Sequence, residues 1–504
     1  MSCVRALLPA LLLAACHSAA APGPPDSGPS DAGPLDPGDP DAGVLQHHNR
    51  GSRDGLYVDP AFTRAAAQGL HLDTGFSATV SGNVYAQPLF VAAAGSAPAL
   101  LLVATESNEV NAIDPATGAV VWRKGLGAPV PLARLPCGNI DPLGITGTPI
   151  VDPGSRTLYL DAMTLSGAGP RHLVFALSLD DGSTRAGWPL DVAAAVPGFD
   201  SSIQNQRGAL ALVAGTLFVP YGGHFGDCGD YRGRILAVPT AAPQTAFSWQ
   251  TRARGGAIWG PPGVSTDGTS LFAVTGNTFG AAAWADGEAV FRFPPTAPLA
   301  PADEFYPSNW LSLDNGDIDL GGSGSLLVDV PGAIPAALAV AMGKDGRVYL
   351  LDRGRLGGAG GQLSVATQAS AEIINAPAAF RTASGTYLAF NGAPKGGCAG
   401  DLVALRVSAT APPVASFAWC AKQNGRGSPI ATTTDGSSEA LVWAVGSEGD
   451  NRLRAFDGET GAVVFAGGGA AEAMGFVRRF QSPIVAQGRI YVAGDGRVFA
   501  FTVR

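Results

Sequence analysis

One short sequence pattern occurs eight times along this chain, and that repetition limits the possible fold more than any other feature. The first copy reads Gln87-Pro88-Leu89, an apolar run over 100–105, Val110-Asn-Ala-Ile-Asp114, Thr117-Gly118 and Trp122. Each apolar run is short or alternating and is bounded by turn residues, which is typical of β-strands. The positions that open the eight copies are 52 to 63 residues apart: 88, 149, 209, 262, 325, 377, 429 and 483.

Four short strands per copy, repeated at this spacing, predict a β-propeller. Helices are disfavoured because the 69 Gly and 39 Pro both destabilise helix interiors. The last copy ends after its third strand, and the alternating run over 71–80 can supply the missing fourth strand. We therefore predict an all-β, eight-bladed propeller of four-stranded antiparallel blades over residues 46–504, closed by an N-terminal strand.

The N-terminus carries the features of an export signal. Residues 1–15 combine a single Arg, a short apolar stretch and small residues, and this signal peptide is too short to span a bilayer. The ending Leu13-Ala14-Ala15-Cys16 resembles the lipobox of bacterial lipoproteins, which implies cleavage before Cys16 and lipidation of its thiol. An ordinary signal peptide with a chance cysteine is the alternative. The resemblance associates Asp after the cysteine with inner-membrane retention, so His17 favours the outer membrane.

Residues 16–45 are predicted to be a solvated tether between the lipid anchor and the folded body. Positions 17–45 hold seven Pro, five Asp and no Lys or Arg, a composition that cannot bury a core. The whole chain has a formal net charge of -9 and no Lys/Arg run, so nucleic acid is not an expected partner. The body has no uninterrupted apolar run of 18 residues, so we expect a monomer that meets the membrane only through its lipid anchor.

The repeats resemble a known family. Val110-Asn-Ala-Ile-Asp114 with Trp122, and Leu453-Arg-Ala-Phe-Asp457 with Thr460-Gly461 and Phe465, are similar to the pyrroloquinoline-quinone (PQQ) enzyme repeat, a strand of the form V-x-A-L-D followed by T-G and W. The resemblance covers residues 71–504. It implies a quinoprotein-type propeller, a fold found in quinoprotein dehydrogenases and in a non-enzymatic lipoprotein of the outer-membrane barrel-assembly machine.

For cofactors, the resemblance implies PQQ with Ca²⁺ as a possible pair, while the residues themselves make no cofactor certain. The family's dehydrogenases place PQQ on a tryptophan floor, under a ring closed by two adjacent cysteines. They hold Ca²⁺ with acidic and amide groups and use an Asp as base. Trp259 is the candidate floor here. The sequence has no adjacent cysteine pair and assigns no position to metal ligands or to a base.

Four cysteines follow Cys16, and an even number in an exported chain predicts disulfides. Three pairings are possible. In a propeller, the loop into the first strand and the loop between the second and third strands lie on one face, and fourth strands end there. We therefore predict the disulfides Cys137–Cys228 and Cys398–Cys420. Zinc binding is the alternative, although no Cys-x-x-Cys spacing occurs.

The same topology gathers loops from distant repeats around one end of the central channel, which we call the channel mouth. Loops on a rigid scaffold are common binding sites. Their mixture of Arg, Lys, amide and carboxylate side chains suits a polar or anionic ligand. The predicted ligand-binding residues are Gln87, Glu106, Arg207, His224, Asp227, Trp259, Asn277, Lys344, Asp345, Arg426 and Gln481.

Several of these residues have a second interpretation. His224, in a glycine-rich segment, either contacts a ligand or only bonds across a disulfide-closed loop. Arg207 and Arg426 either clamp a carboxylate or tie neighbouring blades together. Lys344-Asp345-Gly346 reads first as a β-turn and second as a ligand contact. Outside this set, His47-His48 fits surface polar residues better than a metal site, and the aromatic repeat positions are predicted to pack between blades: Trp122, Trp188, Trp249 and Trp419.

Three functions remain open on the sequence. The first is an exported, lipid-anchored propeller of the cell envelope that binds a small polar ligand or a protein partner at the channel mouth. The second is a PQQ-dependent quinoprotein dehydrogenase of alcohols or sugars. The third is an assembly or scaffold lipoprotein of the outer membrane. No catalytic residue and no metal site is predicted, because no known catalytic motif is present.

Overall fold

Short apolar runs separated by turns form eight antiparallel sheets of mostly four or five strands, arranged as the blades of a propeller. The structure, a computed structural model, describes residues 43–370 and 372–503. Only short helices interrupt the strands in this part of the chain: Leu132–Arg134, Arg64–Ala67, Val192–Ala195, Pro243–Thr245, Trp310–Asn315, Leu320–Ser323 and Ala470–Glu472. The predicted all-β, eight-bladed propeller is confirmed.

The first four blades follow the predicted repeats in chain order. Blades 1 and 2 contain Leu89–Val91, Leu100–Ala104, Glu109–Ile113 and Val120–Gly125, then Ile150–Asp152, Thr157–Ser166, Gly169–Ser178 and Leu190–Asp191. Blades 3 and 4 contain Ala211–Val213, Thr216–Gly223, Arg234–Pro239 and Phe247–Gln250, then Ser265–Thr266, Leu271–Val274, Val290–Phe293 and Asp303–Tyr306. Two short strands extend these sheets: Gln204–Asn205 in blade 3 and Gly358–Ala359 in blade 4.

The other four blades continue the ring. Blades 5 and 6 contain Ser325–Asp329, Ala337–Met342, Arg347–Asp352 and Ser364–Thr367, then Ala378–Thr382, Gly385–Asn391, Leu402–Val407 and Ala415–Ala421. Blades 7 and 8 contain Ile430–Thr433, Leu441–Val445, Leu453–Asp457 and Val463–Phe465, then Ile484–Ala486, Arg489–Gly494 and Arg497–Thr502. As predicted from the run 71–80, His71–Leu72 and Ala78–Thr79 supply the outer strand of blade 8 by pairing with Arg497–Thr502.

The blades have two ends with different loops. The channel mouth carries the loops that lead into the first strands and the loops between second and third strands. The opposite end, which we call the hairpin face, carries the loops between first and second strands and between third and fourth strands. A residue therefore lies near one face or the other according to its position in the repeat.

The glycine–tryptophan part of the repeat is a contact between neighbouring blades. Trp122 of blade 1 donates from Nε1 to the carbonyl of Leu179 at 2.8 Å, and Gly182 of blade 2 packs on its ring. A Cβ atom at Gly182 would lie 2.7 Å from that ring, and its φ of 70° is in the left-handed region. Gly461 covers Trp419 in the same way. The predicted packing of these aromatic positions between blades is confirmed.

Residues 43–59, which we call the axial loop, run through the central channel. The loop starts at the hairpin face, where Gly43–Val44 pairs with Leu89–Val91 of blade 1, and returns along blade 7 as the strand Leu56–Val58. The folded body therefore includes residues that we had assigned to the tether, because the edges of inner strands need hydrogen-bond partners. The signal peptide, Cys16 and tether positions 16–42 lie outside the described residues.

The axial loop is hydrogen-bonded to the innermost strands of successive blades. Its carbonyl oxygens accept from backbone N–H groups of blades 2, 4, 5, 6 and 7, in the pairs Leu45–Val151, Gly51–Thr266, Ser52–Leu327, Asp54–Ala379 and Gly55–Ala431. The Asp59 carboxylate accepts from the backbone of Gly488 in blade 8 at 2.8 Å. A single loop thereby contacts the ring almost all the way around.

Arg53 extends these contacts to blade 3. Its guanidinium donates to the carbonyl oxygens of Leu210 at 2.8 Å and Val264 at 2.7 Å, and to that of His47 at 3.0 Å. The side chain is fully buried, and burial lowers the pKa of Arg53 to about 9. His47 and His48 stack beside it and are also buried, so the interpretation of this pair as surface polar residues is wrong.

Both predicted disulfides are present. Cys137 is bonded to Cys228, with Cα atoms 6.1 Å apart, and joins the loop leading into blade 2 to the second–third strand loop of blade 3. Cys398 is bonded to Cys420 within blade 6, with Cα atoms 6.4 Å apart. The second bond closes a separation of 22 residues, which is worth about 3 kcal/mol in the chain-entropy description.

We expect Arg53→Gln to lower the free energy of unfolding by about 3 kcal/mol, because it leaves three buried carbonyl groups without their charged donor. Chemical denaturation of the two proteins measures this difference. The matched control is Arg123→Gln, whose side chain is 43% exposed and forms an ion pair with Glu109 at 3.4 Å. The control is expected to change stability by less than about 1 kcal/mol. Equal losses in both variants would contradict the role of the axial loop.

Candidate functional site at the channel mouth

The axial loop forms the floor of the channel mouth. The backbone N–H of His48 donates to Gln87 Oε1 at 2.9 Å, and Gln87 Nε2 donates to the carbonyl of Gln46 at 3.2 Å. Gln481 Nε2 donates to carbonyl oxygens of the loop leading into blade 1, at 3.3 and 3.4 Å. Two of the predicted ligand-binding residues are therefore buried and occupied in holding the floor and joining blades 8 and 1.

One side of the mouth holds five residues that we call the arginine cluster: Tyr85, Glu106, Arg207, Arg478 and Phe480. Glu106 is fully buried and accepts from the backbone of Gly144 at 2.6 Å and from the Thr146 hydroxyl at 2.8 Å. Burial raises the pKa of Glu106 to about 7, against the opposing effect of these two hydrogen bonds and of the charge on Arg207. This carboxyl group therefore titrates near neutral pH.

Arg207 reaches from the loop of blade 3 to the loop of blade 8. Its guanidinium carbon lies 5.8 Å from the centre of the Phe480 ring, a distance at which a cation and an aromatic face attract each other. Its one side-chain hydrogen bond in the described structure is to Asn139 Oδ1, at 3.4 Å. It forms no ion pair with a described carboxylate, so most of its donors remain available.

Phe480 adopts an unusual backbone conformation. Its φ of 69° lies in the left-handed region, which is unfavourable for a bulky side chain. The neighbouring Arg478 lies 5.6 Å from the ring centre of Tyr85 and forms an ion pair with Asp495 at 2.6 Å. Cations and aromatic rings from blades 1, 3 and 8 thus form one surface on this side of the mouth.

The opposite side holds a second group, which we call the tryptophan cluster: Trp259, Asn277, Glu288, Asp319 and Lys344. Lys344 Nζ lies 2.6 Å from Asp319 Oδ2 and 5.6 Å from the centre of the Trp259 ring. The other oxygen of Asp319 accepts from the backbone N–H of Asn277 at 2.8 Å. An aromatic ring, an amide, a carboxylate and an ammonium group are therefore assembled from blades 4 and 5.

Glu288 is the least accessible acid of the tryptophan cluster. It is fully buried, its Oε2 accepts from the backbone of Leu320 at 2.6 Å, and its Oε1 has no partner. Burial and the negative charges of Asp319 and Asp314 raise the pKa of Glu288 well above its ordinary value. Its φ of 53° is again left-handed.

The structure brings five of the predicted ligand-binding residues into the two clusters: Glu106, Arg207, Trp259, Asn277 and Lys344. The other residues lie apart from them. His224 is buried, its Nε2 lies 3.1 Å from the carbonyl of Ser202, and burial lowers its pKa to about 4, which fits the bond across a disulfide-closed loop. Arg426 is exposed and has no side-chain partner among the described residues.

The two remaining predicted aspartates accept hydrogen bonds from nearby tyrosines. Asp227 Oδ1 accepts from the Tyr231 hydroxyl at 2.6 Å, and Asp345 Oδ2 accepts from that of Tyr349 at 2.7 Å. Asp345 Oδ1 also accepts from the backbone of Arg347 at 3.0 Å, which confirms the turn at this position. Of the Lys-Asp-Gly motif, only the lysine reaches the tryptophan cluster.

Sequence reasoning missed five members of the clusters: Tyr85, Glu288, Asp319, Arg478 and Phe480. Asp319 precedes the first strand of blade 5, the position that identified Trp259 in blade 4, so the repeat itself contained this signal. Glu288 had no such signal, because it lies in a long irregular connection between the second and third strands of blade 4. In the sequence, Phe480 is indistinguishable from other apolar residues, because its contact with Arg207 forms only when blades 3 and 8 are assembled in the ring.

The clusters meet the requirements of a PQQ site in part. Trp259 offers an aromatic surface, with the backbone of Asn277 and the carboxylate of Asp319 nearby. Neither disulfide joins adjacent cysteines. Within residues 43–370 and 372–503, no group of three or more His, Cys, Asp or Glu side chains is placed to hold a metal ion. The residues present therefore fit the floor of such a site and not its metal or its disulfide ring.

No protein-family model and no curated protein matches the sequence significantly. Solved structures match the fold. A quinohemoprotein alcohol dehydrogenase, ADHIIG from Pseudomonas putida HK5, has a TM-score of 0.67 at 12% identity over 92% of this chain and 80% of that one. A europium-containing methanol dehydrogenase has a TM-score of 0.60 at 14% identity over 91% of each chain.

A third structure with this fold is BamB from Moraxella catarrhalis, with a TM-score of 0.50 at 14% identity over 86% of this chain and 97% of that one. At these identities the comparisons show the fold alone. The protein is therefore an eight-bladed propeller of the quinoprotein type. That fold is shared by alcohol and methanol dehydrogenases and by BamB, so it leaves the function to be argued from the two clusters.

We expect Glu106 to make stability depend on pH between its ordinary pKa of 4.5 and its raised value of about 7. In this window the folded protein binds a proton that the unfolded chain releases, so the free energy of unfolding falls as pH rises. The contribution is on the order of 3 kcal/mol across the window. Denaturation at pH 5 and pH 8 should show a smaller loss for Glu106→Gln than for the wild type, and equal losses would contradict the assignment.

Proposed function

We propose that the protein is an exported, lipid-anchored propeller whose channel mouth binds a small anionic ligand. The observation that carries this proposal is the half-buried Arg207, whose guanidinium carbon lies 5.8 Å from the centre of the Phe480 ring and which has no ion-pair partner in the described structure. Such a group presents parallel N–H donors that match the two oxygens of a carboxylate. The cost of placing the cation there is offset when an anion binds.

The surrounding residues determine how the ligand is held. The axial loop closes the channel below the site, so the ligand enters from the mouth. Phe480 and Tyr85 offer apolar surface beside the charge, and Glu106 is neutral below a pH of about 7. Above that pH, Glu106 ionises and competes with the ligand for Arg207. Binding is therefore expected to weaken as the pH rises.

Several features support export and anchoring. Two disulfides are typical of proteins outside the cytoplasm. The described chain begins at Gly43 on the hairpin face, opposite the mouth, so a tether at Cys16 would leave the mouth accessible to solutes or to a protein partner in the envelope. The alternative role as an outer-membrane assembly lipoprotein draws on the fold shared with BamB.

The ligand proposal is tested by calorimetric titration with succinate and citrate at pH 6. We expect Arg207→Gln to weaken binding at least tenfold, since it removes the charged bidentate donor. The control is Lys422→Gln, which removes an exposed cation on the same face outside both clusters. No binding by the wild type, or equal weakening in both variants, would overturn the proposal.

The second candidate function is a PQQ-dependent oxidoreductase of alcohols or sugars. The observation that favours it is the tryptophan cluster, where Trp259, Asn277 and Asp319 lie together in a fold shared with quinohemoprotein alcohol dehydrogenase. When bound, PQQ would supply a redox-active quinone. The chain itself would supply the aromatic surface and the Lys344–Asp319 ion pair beside it.

PQQ titration in the presence of Ca²⁺, followed by absorbance and by reduction of an artificial dye, distinguishes the two candidates. If PQQ binds on the tryptophan cluster, Trp259→Ala lowers its affinity at least tenfold. Phe225→Ala, which truncates an aromatic residue that is 66% exposed elsewhere on the mouth, leaves the affinity unchanged. Absence of PQQ binding at micromolar concentration would eliminate the oxidoreductase and leave the anion-binding proposal intact.

A further inference from the structure

Exposed apolar side chains are concentrated at the hairpin face. Among the described residues, ten large apolar side chains are exposed: Val120, Val121, Phe225, Leu311, Ile334, Val365, Val414, Phe417, Val463 and Phe476. Seven of the ten lie in hairpin-face loops or in the first residues of fourth strands, which start at that face. The remaining three lie towards the mouth, so the two ends of the propeller differ in character.

Four of these side chains lie together on blades 5 and 6. Ile334, Val365, Val414 and Phe417 are 71%, 43%, 48% and 45% exposed. Backbone contacts connect their positions: the N–H of Ile334 donates to the carbonyl of Thr410 at 3.1 Å, and the Ser364 hydroxyl donates to that of Pro413 at 2.8 Å. We call these four residues the apolar edge. Monomeric proteins rarely leave such a group in contact with water.

A basic cleft adjoins the apolar edge. Its volume is about 440 Å³, and its walls come from the hairpin-face loops of the same two blades. Arg381 and Arg406 line it, both are exposed, and neither forms an ion pair within the described chain. None of the residues lining the cleft is acidic. The lining of this cleft therefore carries positive charge only, in a protein with a formal net charge of -9.

Acidic side chains lie beside the cleft, although none lines it. Glu459 of blade 7 accepts hydrogen bonds from the hydroxyls of Thr382 and Ser384, and Arg64 approaches it to 4.0 Å. Arg381 also lines a neighbouring cleft that contains Asp329 and Asp435. Neither Arg381 nor Arg406 forms an ion pair with a carboxylate of the described residues. Their donors are free to meet anions outside the protein.

The described chain starts on this same face. Gly43 pairs with Val91, the last residue of the first strand of blade 1, which ends at the hairpin face. Exposed apolar side chains beside unpaired arginines are the composition of surfaces that bind the interface of anionic bilayers. No helix of the described residues is long and apolar enough to cross a membrane.

We propose that the apolar edge and the basic cleft together form a docking surface for a membrane that contains anionic phospholipid. Ile334 and Val414 enter the headgroup region, while Arg381 and Arg406 contact lipid phosphates. The rest of the acidic surface is repelled from such a membrane, so contact is restricted to blades 5 and 6. The docking surface is separate from the channel mouth and does not depend on the identity of the ligand there.

The test is co-sedimentation of the full chain carrying Cys16→Ser, so that a lipid anchor cannot account for binding. Vesicles of phosphatidylcholine with phosphatidylglycerol are compared with vesicles of phosphatidylcholine alone. We expect binding to the anionic vesicles that decreases with added salt. Arg381→Gln and Arg406→Gln should each weaken it about fivefold, since one basic residue near an anionic surface contributes about 1 kcal/mol.

Two further variants separate the apolar contribution from the charge. Ile334→Ser with Val414→Ser should weaken binding to anionic vesicles, whereas Leu311→Ser, 43% exposed near the mouth, and Lys422→Gln should not. Circular dichroism of each variant checks that it is folded. Equal binding to both vesicle types, no binding by the Cys16→Ser chain, or equal effects of the control variants would overturn the proposal. If the Cys16→Ser chain does not bind vesicles, the apolar edge would be assigned to a protein partner instead.

Discussion

The hydrogen bonds between the axial loop and the innermost strands are the interaction on which the rest of the structure depends. A ring of eight blades leaves a central channel lined by strand edges, and unpaired backbone groups at such edges destabilise a fold. The carbonyl groups of the axial loop accept from the N–H groups at these edges. Arg53 donates to the carbonyl oxygens of Leu210 and Val264, which adds the contact with blade 3. The loop also closes the channel, which limits any ligand to one end.

This closure explains why the two clusters differ from the residues around them. Gln87 hydrogen-bonds to the axial loop, and Gln481 hydrogen-bonds to the loop leading into blade 1. Arg207 and Lys344 instead lie beside aromatic rings at the mouth. Charged groups that are half-buried but accessible from one side interact strongly with a ligand, because water screens them poorly. Each cluster also contains one residue with a left-handed backbone, Phe480 in the arginine cluster and Glu288 in the tryptophan cluster.

The hairpin face has a different physical character. Its turns carry exposed apolar side chains and, on blades 5 and 6, two arginines without partners. The mouth carries the two polar clusters, while this end is partly apolar. A protein held at a membrane by one end and open to solutes at the other is consistent with both sets of properties.

The repeat pattern by itself determined the number of blades, the closure by residues 71–79 and both disulfides, because strand periodicity and turn residues are local properties of the chain. It also placed Glu106, Arg207, Trp259, Asn277 and Lys344 at the mouth. Only the tertiary structure decided which of the predicted ligand-binding side chains remain available for a ligand. Gln87, His224 and Asp345 have hydrogen-bond partners within the protein that the spacing of the repeats does not reveal. The axial loop was assigned in part to the tether, because its contacts join positions up to several hundred residues apart, and no local pattern records them.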